Sequence, residues 1–281
     1  MSLFIASLNS GSNGNCYYIG NEDEAILIDA GISCREIEKR VVRLGLSIHK
    51  IKAIFVSHEH SDHISGISVL SKKYKLPVYI TDATLLHGRI DLEKHLIRSF
   101  RAGQCVDIGN LLITPFPKLH DAIEPLSFAI ACKGINIGVF TDIGTPCKDV
   151  INQFKRCHAA FLEANYDDTM LDNGSYPHHL KNRIRGGKGH LSNKQALDLF
   201  IQHRPSFMTH LFLSHLSKNN NCTELVYQLF HANAAGVKII VASRYEETSL
   251  YSIAGVSNKI YPAIKRTRGL ASTVQLSFAF Q

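Results

Sequence analysis

Residues 58–63 read His-Glu-His-Ser-Asp-His, which places four side chains able to bind a metal, His58, His60, Asp62 and His63, within six positions. The preceding residues 53–57, Ala-Ile-Phe-Val-Ser, are apolar and end in a small polar residue, as a buried strand does where it stops. Ile64, Ile67 and Leu70 then take up helical spacing, so the six residues fall in a strand-to-helix turn. A turn can aim alternate side chains at different points, which one helix face cannot. Two histidines can serve one ion while an aspartate and a third histidine serve a second beside it. Paired metals are a recurring device for hydrolysing phosphodiesters and other strong electrophiles. In a chain with 15 histidines, however, such a string needs support from elsewhere.

That support is sought at the ends of the other strands. His120 follows the strand-like segment 111–119, Asp142 follows 137–141, and His215 follows 211–214. Taken singly, an aspartate after a strand is an ordinary turn residue and a lone histidine an ordinary surface or core residue. Together they would complete a binuclear site, because strand ends in packed sheets converge on one rim. Asp29 also closes an apolar run, 25–28. Its position suits a carboxylate that orients the ligand turn without touching an ion.

The elements that must hold these residues form a long alternation. Strands are expected at 2–8, 16–20, 24–29, 53–57, 78–81, 105–108, 111–116, 126–132, 135–141, 158–163, 210–214 and 237–242. Helices are expected at 33–44 (Ser33 as cap, Gly45 as stop), 64–75, 147–156, 193–202 (Ser192 as cap) and 222–235. This is an α/β chain, two packed sheets with helices outside. With 281 residues, 45% of them hydrophobic, it can bury a large core, and no Pro/Gly/Ser-rich linker divides it, so residues 1–281 read as one domain. Charges interrupt every apolar run, which argues against a membrane span. The seven cysteines are scattered, without a Cys-x-x-Cys pair, and fit reduced thiols in the cytoplasm. A net charge of +7 permits a polyanionic partner.

The ordered set Asp29, His58, His60, Asp62, His63, His120, Asp142 and His215 resembles the metallo-β-lactamase-fold hydrolase superfamily. The resemblance implies a four-layer αββα sandwich, two mixed sheets face to face with the metals at one edge. It also implies that His58, His60 and His120 hold a first divalent ion, that Asp62, His63 and His215 hold a second, and that Asp142 bridges them. Zinc is the usual occupant, and all-nitrogen-and-oxygen ligation also suits manganese or iron. His63 and Asp142 fit the dinuclear branches. Flavodiiron oxygen reductases usually carry Glu where His60 stands, whereas thioester hydrolases of the glyoxalase type share the full set.

Other segments resemble nucleic-acid enzymes of this fold. Leu162-Glu163-Ala164-Asn165 and Gly189-His190-Leu191-Ser192-Asn193 are similar to paired segments of tRNA 3′-processing ribonucleases. That similarity implies that Glu163 orients His190, which protonates the leaving oxygen. Residues 8–16 and 215–221 resemble the single-domain bacterial YycJ/WalJ-like group, which is linked with 5′→3′ DNA exonuclease activity. The loop bearing Ser10, Ser12 and Asn15 is a candidate phosphate cradle. No second domain of the β-CASP kind and no tRNA-gripping arm interrupts the chain. The basic stretch His178, His179, Lys181, Arg183, Arg185 and Lys188, leading into His190, is a candidate substrate track, and Lys265, Arg266 and Arg268 form a second cluster. The expectation is a binuclear metal-dependent phosphodiesterase acting on DNA rather than RNA, with Asp62, Glu163 and His190 as catalytic residues. Two rivals stand beside it: a hydrolase of a small thioester, lactone or cyclic phosphodiester, and a non-catalytic, metal-stabilised nucleic-acid-binding or regulatory protein.

Overall fold

Alternation along the strands builds the core. In strand β1 (Ser2–Asn9), Leu3 and Ile5 face one apolar cluster while Leu8 faces another; in β2 (Cys16–Gly20), Tyr17 and Ile19 are divided from Cys16 and Tyr18; in β3 (Ala25–Ile28), Ile26 and Ile28 from Ala25 and Leu27. Strand β4 (Ile51–Phe55) does the same, with Ala53 and Phe55 on one side and Ile51 and Ile54 on the other. Period-two patterning with both faces apolar means that each sheet is covered on both sides.

The computed structural model describes residues 2–255. The basic cluster Lys265, Arg266 and Arg268 lies outside the described residues. The remaining strands are β5 (Val78–Ile80), β6 (Ile97–Ser99), β7 (Val106–Ile108), β8 (Leu111–Pro117), β9 (Leu126–Cys132), β10 (Ile135–Phe140), β11 (Ala159–Glu163), β12 (His210–Ser214), β13 (Lys238–Val241) and β14 (Tyr251–Ala254). They form two seven-stranded sheets, ordered β14-β1-β2-β3-β4-β5-β6 and β13-β12-β11-β10-β9-β8-β7. In the first, pairing is antiparallel from β14 to β3 and parallel from β3 to β6. The second repeats the pattern, antiparallel from β7 to β10 and parallel from β10 to β13. No repeat is visible in the sequence, yet the two sheets share one plan. Because β8 and β10 both run antiparallel to β9, they end on the same rim as β11 and β12.

Between the sheets lies the inner core. Phe55 stacks on Tyr79 at 4.5 Å and meets Phe128 of the opposite sheet edge-on at 5.9 Å; Tyr17 packs on Phe161 at 4.9 Å. Helices cover the outer faces: α1 (Cys34–Arg43) and α3 (Ile67–Tyr74) over the first sheet, and α5 (Lys148–Phe154), α8 (Asn193–His203) and α9 (Thr223–His231) over the second. Short helices α2 (Ser61–Ile64), α4 (Asp82–Gly88), α6 (Asp168–Asn173) and α7 (His178–Arg185) complete the set. This is the four-layer arrangement expected from the sequence. No helix among the described residues is long and apolar enough to cross a membrane.

Three local readings need correction. The helix expected over 64–75 is broken into α2 and α3 at Gly66. The Gly66 amide donates to Ala30 O at 2.8 Å, and a Cβ there would stand 2.0 Å from Ile32 O, so the backbone is drawn against the β3 connection where a continuous helix would not fit. Residues 178–185, read only as a run of charge, are helix α7. Strand β14, beyond the last strand expected from the sequence, returns to close the first sheet beside β1.

Candidate metal centre

Every side chain of the centre sits just past a strand end. Asp29 follows β3, His58 to His63 follow β4, His120 follows β8, Asp142 follows β10, Glu163 closes β11 and His215 follows β12. Asp29, Asp142 and His215 all adopt left-handed backbone, φ 60°, 57° and 56°. Three non-glycine residues in that region at one rim mark a place where the chain bends sharply to present side chains.

Two groups of donors result. In the first, His58 Nε2 lies 3.1 Å from His60 Nδ1, which lies 3.4 Å from His120 Nε2. In the second, Asp62 Oδ2 lies 3.5 Å from His63 Nε2 and 3.6 Å from His215 Nε2. Asp142 stands between them, Oδ2 at 3.3 Å from His63 Nε2 and Oδ1 at 3.9 Å from His120 Nε2. Donors about 2.0–2.1 Å from one tetrahedral ion are separated by about 3.4 Å; His58, His60 and His120 have that spacing, with ligand atoms all within 4.8 Å of one another, and in the second group Asp62 stands at that distance from each histidine. Asp142 Oδ2 is buried with no hydrogen-bond partner. An orphaned carboxylate oxygen of that kind fits a cation. The residues therefore suit a pair of divalent ions.

The far edges of the rings are tied down. His120 Nδ1 faces the Gly189 carbonyl at 3.0 Å and His63 Nδ1 faces Asp29 Oδ2 at 2.7 Å. Both partners only accept, so Nδ1 is the nitrogen that keeps its proton and Nε2 is the one that would give up a proton to bind an ion at the centre. Asp29 also accepts from Ser57 N and Ser57 Oγ, each at 2.7 Å, and Ser57 Oγ in turn lies 2.8 Å from His58 Nδ1. One buried carboxylate thus fixes rings from both groups.

The titration of these groups reflects a pocket short of positive charge. Burial opposes charge on His63, but Asp142, Asp62 and Asp29 outweigh it and hold its pKa well above 6.5. His215 is raised in the same way, burial being outweighed chiefly by Asp142. Burial works against the Asp142 carboxylate too, yet His215, His63 and Lys118 hold it well below its usual range. His58 and His120 go the other way, lowered mainly by burial, His120 to about 4. A site in which Asp62 and Asp142 stay ionised while His58 and His120 stay neutral accepts cations readily.

Beside Asp142 is a second constellation. Glu163 Oε1 lies 2.7 Å from His190 Nδ1 and 3.2 Å from His215 Nδ1, while Oε2 accepts from Ile143 N and Leu191 N. Burial opposes ionisation of Glu163, but His190 and the hydrogen bonds bring its pKa down to about 2. The His190 side chain is 18% exposed, the opening through which this part of the centre meets solvent.

The structure assigns other work to part of the phosphate-cradle reading. Ser10 and Asn15 are buried and turned inward. Ser10 Oγ accepts from His215 N at 2.8 Å, and Asn15 Nδ2 donates to Asp62 Oδ2 at 3.1 Å. Gly11 N is used on Asn15 Oδ1. Of Ser10, Ser12 and Asn15, only Ser12 is exposed. On α7, Lys181 Nζ donates to Asp172 O, Arg183 pairs with Asp121 next to His120, and Arg185 pairs with Asp172. Lys188 forms no ion pair among the described residues.

Sequence reasoning missed Ser57, Gly31 and Lys118. A Cβ on Gly31 would stand 1.6 Å from Asp62 O, so only glycine lets β3's exit pass under the ligand turn. Lys118 is buried, its Nζ donating to Thr141 O at 2.7 Å and standing 4.0 Å from Asp142 Oδ2. A lysine two residues before His120 at a strand end was the available signal.

Comparison with known proteins agrees with this geometry. Residues 24–213 match a family model described as a β-lactamase superfamily domain. The chain is 35% identical over 230 residues to the exodeoxyribonuclease YycJ of Bacillus anthracis, covering 80% of this chain and 86% of the relative. It is 32% identical over 228 residues to the exodeoxyribonuclease WalJ of Streptococcus pneumoniae, covering 78% and 84%. The metallo-β-lactamase-fold protein YhfI of Bacillus subtilis superposes with a TM-score of 0.69 at 15% identity, over 90% of this chain and all of that one, a likeness of fold.

Proposed function

This chain belongs to the β-lactamase superfamily, and from that premise we propose that it is a binuclear metal-dependent phosphodiesterase that degrades DNA from an end. The observation that carries this reading is the pair of donor groups with Asp142 standing between them and the Glu163–His190 pair at its side. The curated relatives named exodeoxyribonucleases support DNA as substrate. In this reading residues 1–281 act as one domain, and the protein works in the cytoplasm, where its seven unpaired cysteines remain reduced.

His58, His60 and His120 would hold one ion and Asp62, His63 and His215 the other, with Asp142 available to both; zinc is the proposed occupant, and manganese or iron suits the same nitrogen and oxygen donors. When bound, the ions supply Lewis acidity and lower the pKa of water towards neutrality. Asp29 and Ser57 keep the rings aimed. Glu163, ionised and buried, holds His190 by Nδ1, which leaves the Nε2 edge free. As a water oxygen bonds to phosphorus and the ester P–O bond breaks, His190 gives a proton from Nε2 to the departing oxygen. Ser12, Lys181, Arg183, Arg185 and Lys188 are the proposed substrate contacts; of the basic four, Lys188 is the one whose side chain has neither a hydrogen-bond nor an ion-pair partner among the described residues. The test is incubation of the metal-loaded protein with end-labelled single- and double-stranded DNA and RNA, with a thioester and a simple phosphodiester alongside. Release of mononucleotides from DNA is expected. Turnover of the thioester with DNA left intact would overturn the proposal.

A further inference from the structure

A cleft of ≈ 390 Å³ adjoins the centre and takes no part in holding the donor groups. Its size falls in the range of about 300–1,000 Å³ typical of small-molecule sites. Its walls are the Ser10 loop, the segment after His215 with Lys218, the start of α9 at Thr223, and residues 241–246 with Arg244, Tyr245 and Glu246. Ser10 is shared with the centre, because its Oγ accepts from His215 N. The cleft therefore begins one residue from His215.

Four features of these walls point to one kind of occupant. Arg244 is held in place by the loop opposite: its Nη2 donates to Ser12 Oγ at 3.2 Å and Asn13 Oδ1 at 3.3 Å, and its carbonyl accepts from Asn13 Nδ2 at 2.7 Å. Its Nη1 is buried and has no hydrogen-bond partner, an unmet donor that a shift of this half-buried side chain towards the cleft would turn onto a phosphate oxygen. Lys218 is exposed and forms no ion pair among the described residues. Thr223 opens α9, whose amino end adds a partial positive charge. Tyr245 is 69% exposed, a large aromatic ring with nothing packed over it. Glu246 is the single acid on the wall, against two cations.

A positive wall beside a bare aromatic ring is the combination that binds one nucleotide of a single strand, phosphate on the cations and base on the ring. We propose that this cleft is a nucleotide subsite, holding the nucleotide next to the reacting phosphodiester of a DNA strand, with Arg244 and Lys218 on its phosphate and Tyr245 under its base. The inference rests on the nuclease reading above and adds residues that reading does not use.

The test is binding rather than cleavage. Affinity of the metal-loaded protein for a labelled, cleavage-resistant phosphorothioate single strand is measured over a salt series. For wild type, affinity falls with salt. Replacing one phosphate contact flattens the log–log slope by about 0.7, so Arg244→Gln and Lys218→Ala each lose about that much. Tyr245→Ala weakens affinity about tenfold with the slope unchanged, and Tyr245→Phe restores it. Wild-type slope and affinity in all of these variants would overturn the cleft while leaving the nuclease reading intact. Failure of wild type to bind the strand at any salt would overturn both.

Discussion

Asp29→Asn isolates the orienting role of one buried carboxylate. The left-handed backbone at Asp29, φ 60°, is tolerated by asparagine, so the turn survives. What changes is chemistry at one atom. Asp29 accepts three hydrogen bonds of 2.7 Å each, from Ser57 N, Ser57 Oγ and His63 Nδ1. An amide can keep its oxygen towards Ser57 N only by turning its NH₂ towards the His63 Nδ1 proton. The opposite rotamer sets NH₂ against Ser57 N–H. Relief comes from moving the His63 proton to Nε2, the nitrogen that faces Asp62 and Asp142 at 3.5 and 3.3 Å. A protonated Nε2 cannot bind a metal. Loss of an orienting partner of this kind costs about 10- to 100-fold in metal affinity, or about 1.4–2.7 kcal/mol. Competition against a chelator of known affinity reads the two ions in turn. The ion at Asp62, His63 and His215 should weaken by that factor, and the ion at His58, His60 and His120 by much less. Equal, wild-type affinities at both would refute the reasoning, since the tautomer argument would then have no consequence.

Glu163→Gln and His190→Ala should each lower kcat by about 10²–10⁴-fold with two ions retained, checked by steady-state kinetics and elemental analysis on the same samples. Phe55→Ala removes a fully buried ring between the sheets and should destabilise the fold by about 3–5 kcal/mol, read from the urea midpoint. His158 is buried, accepts from Asn136 N at 3.1 Å, and has its pKa lowered from 6.5 by burial. Its neutral ring is favoured in the fold, so this contribution is fully present above pH 6.5 and is lost as pH falls below it. His158→Asn, which keeps an acceptor, should flatten the decline of stability between neutral and mildly acidic pH.

The parts of this architecture that were legible in the sequence carry strong local signals. The ligand turn announces itself by composition, and His120, Asp142 and His215 by standing where apolar runs stop. Strands with two buried faces show as apolar runs whatever their partners. Helix α7 was not legible as a helix because it has no fully buried residue, and without an apolar stripe charge gives no period. Ser10 and Asn15 misled for a different reason. In a Gly/Ser/Asn turn, nothing local tells whether a polar side chain points to solvent or inward, and only the fold brings Asp62 and His215 against them. Ser57 and Lys118 were hidden because their work depends on partners at Asp29 and Thr141, distant in sequence.

The central claim is that seven side chains from four strand ends enclose a shared pair of ions. Anomalous diffraction from metal-loaded crystals tests it most directly. Two peaks about 3.5–4 Å apart are predicted, one among His58, His60 and His120, the other among Asp62, His63 and His215, with Asp142 reaching both. A single peak, or peaks away from these residues, would contradict the account.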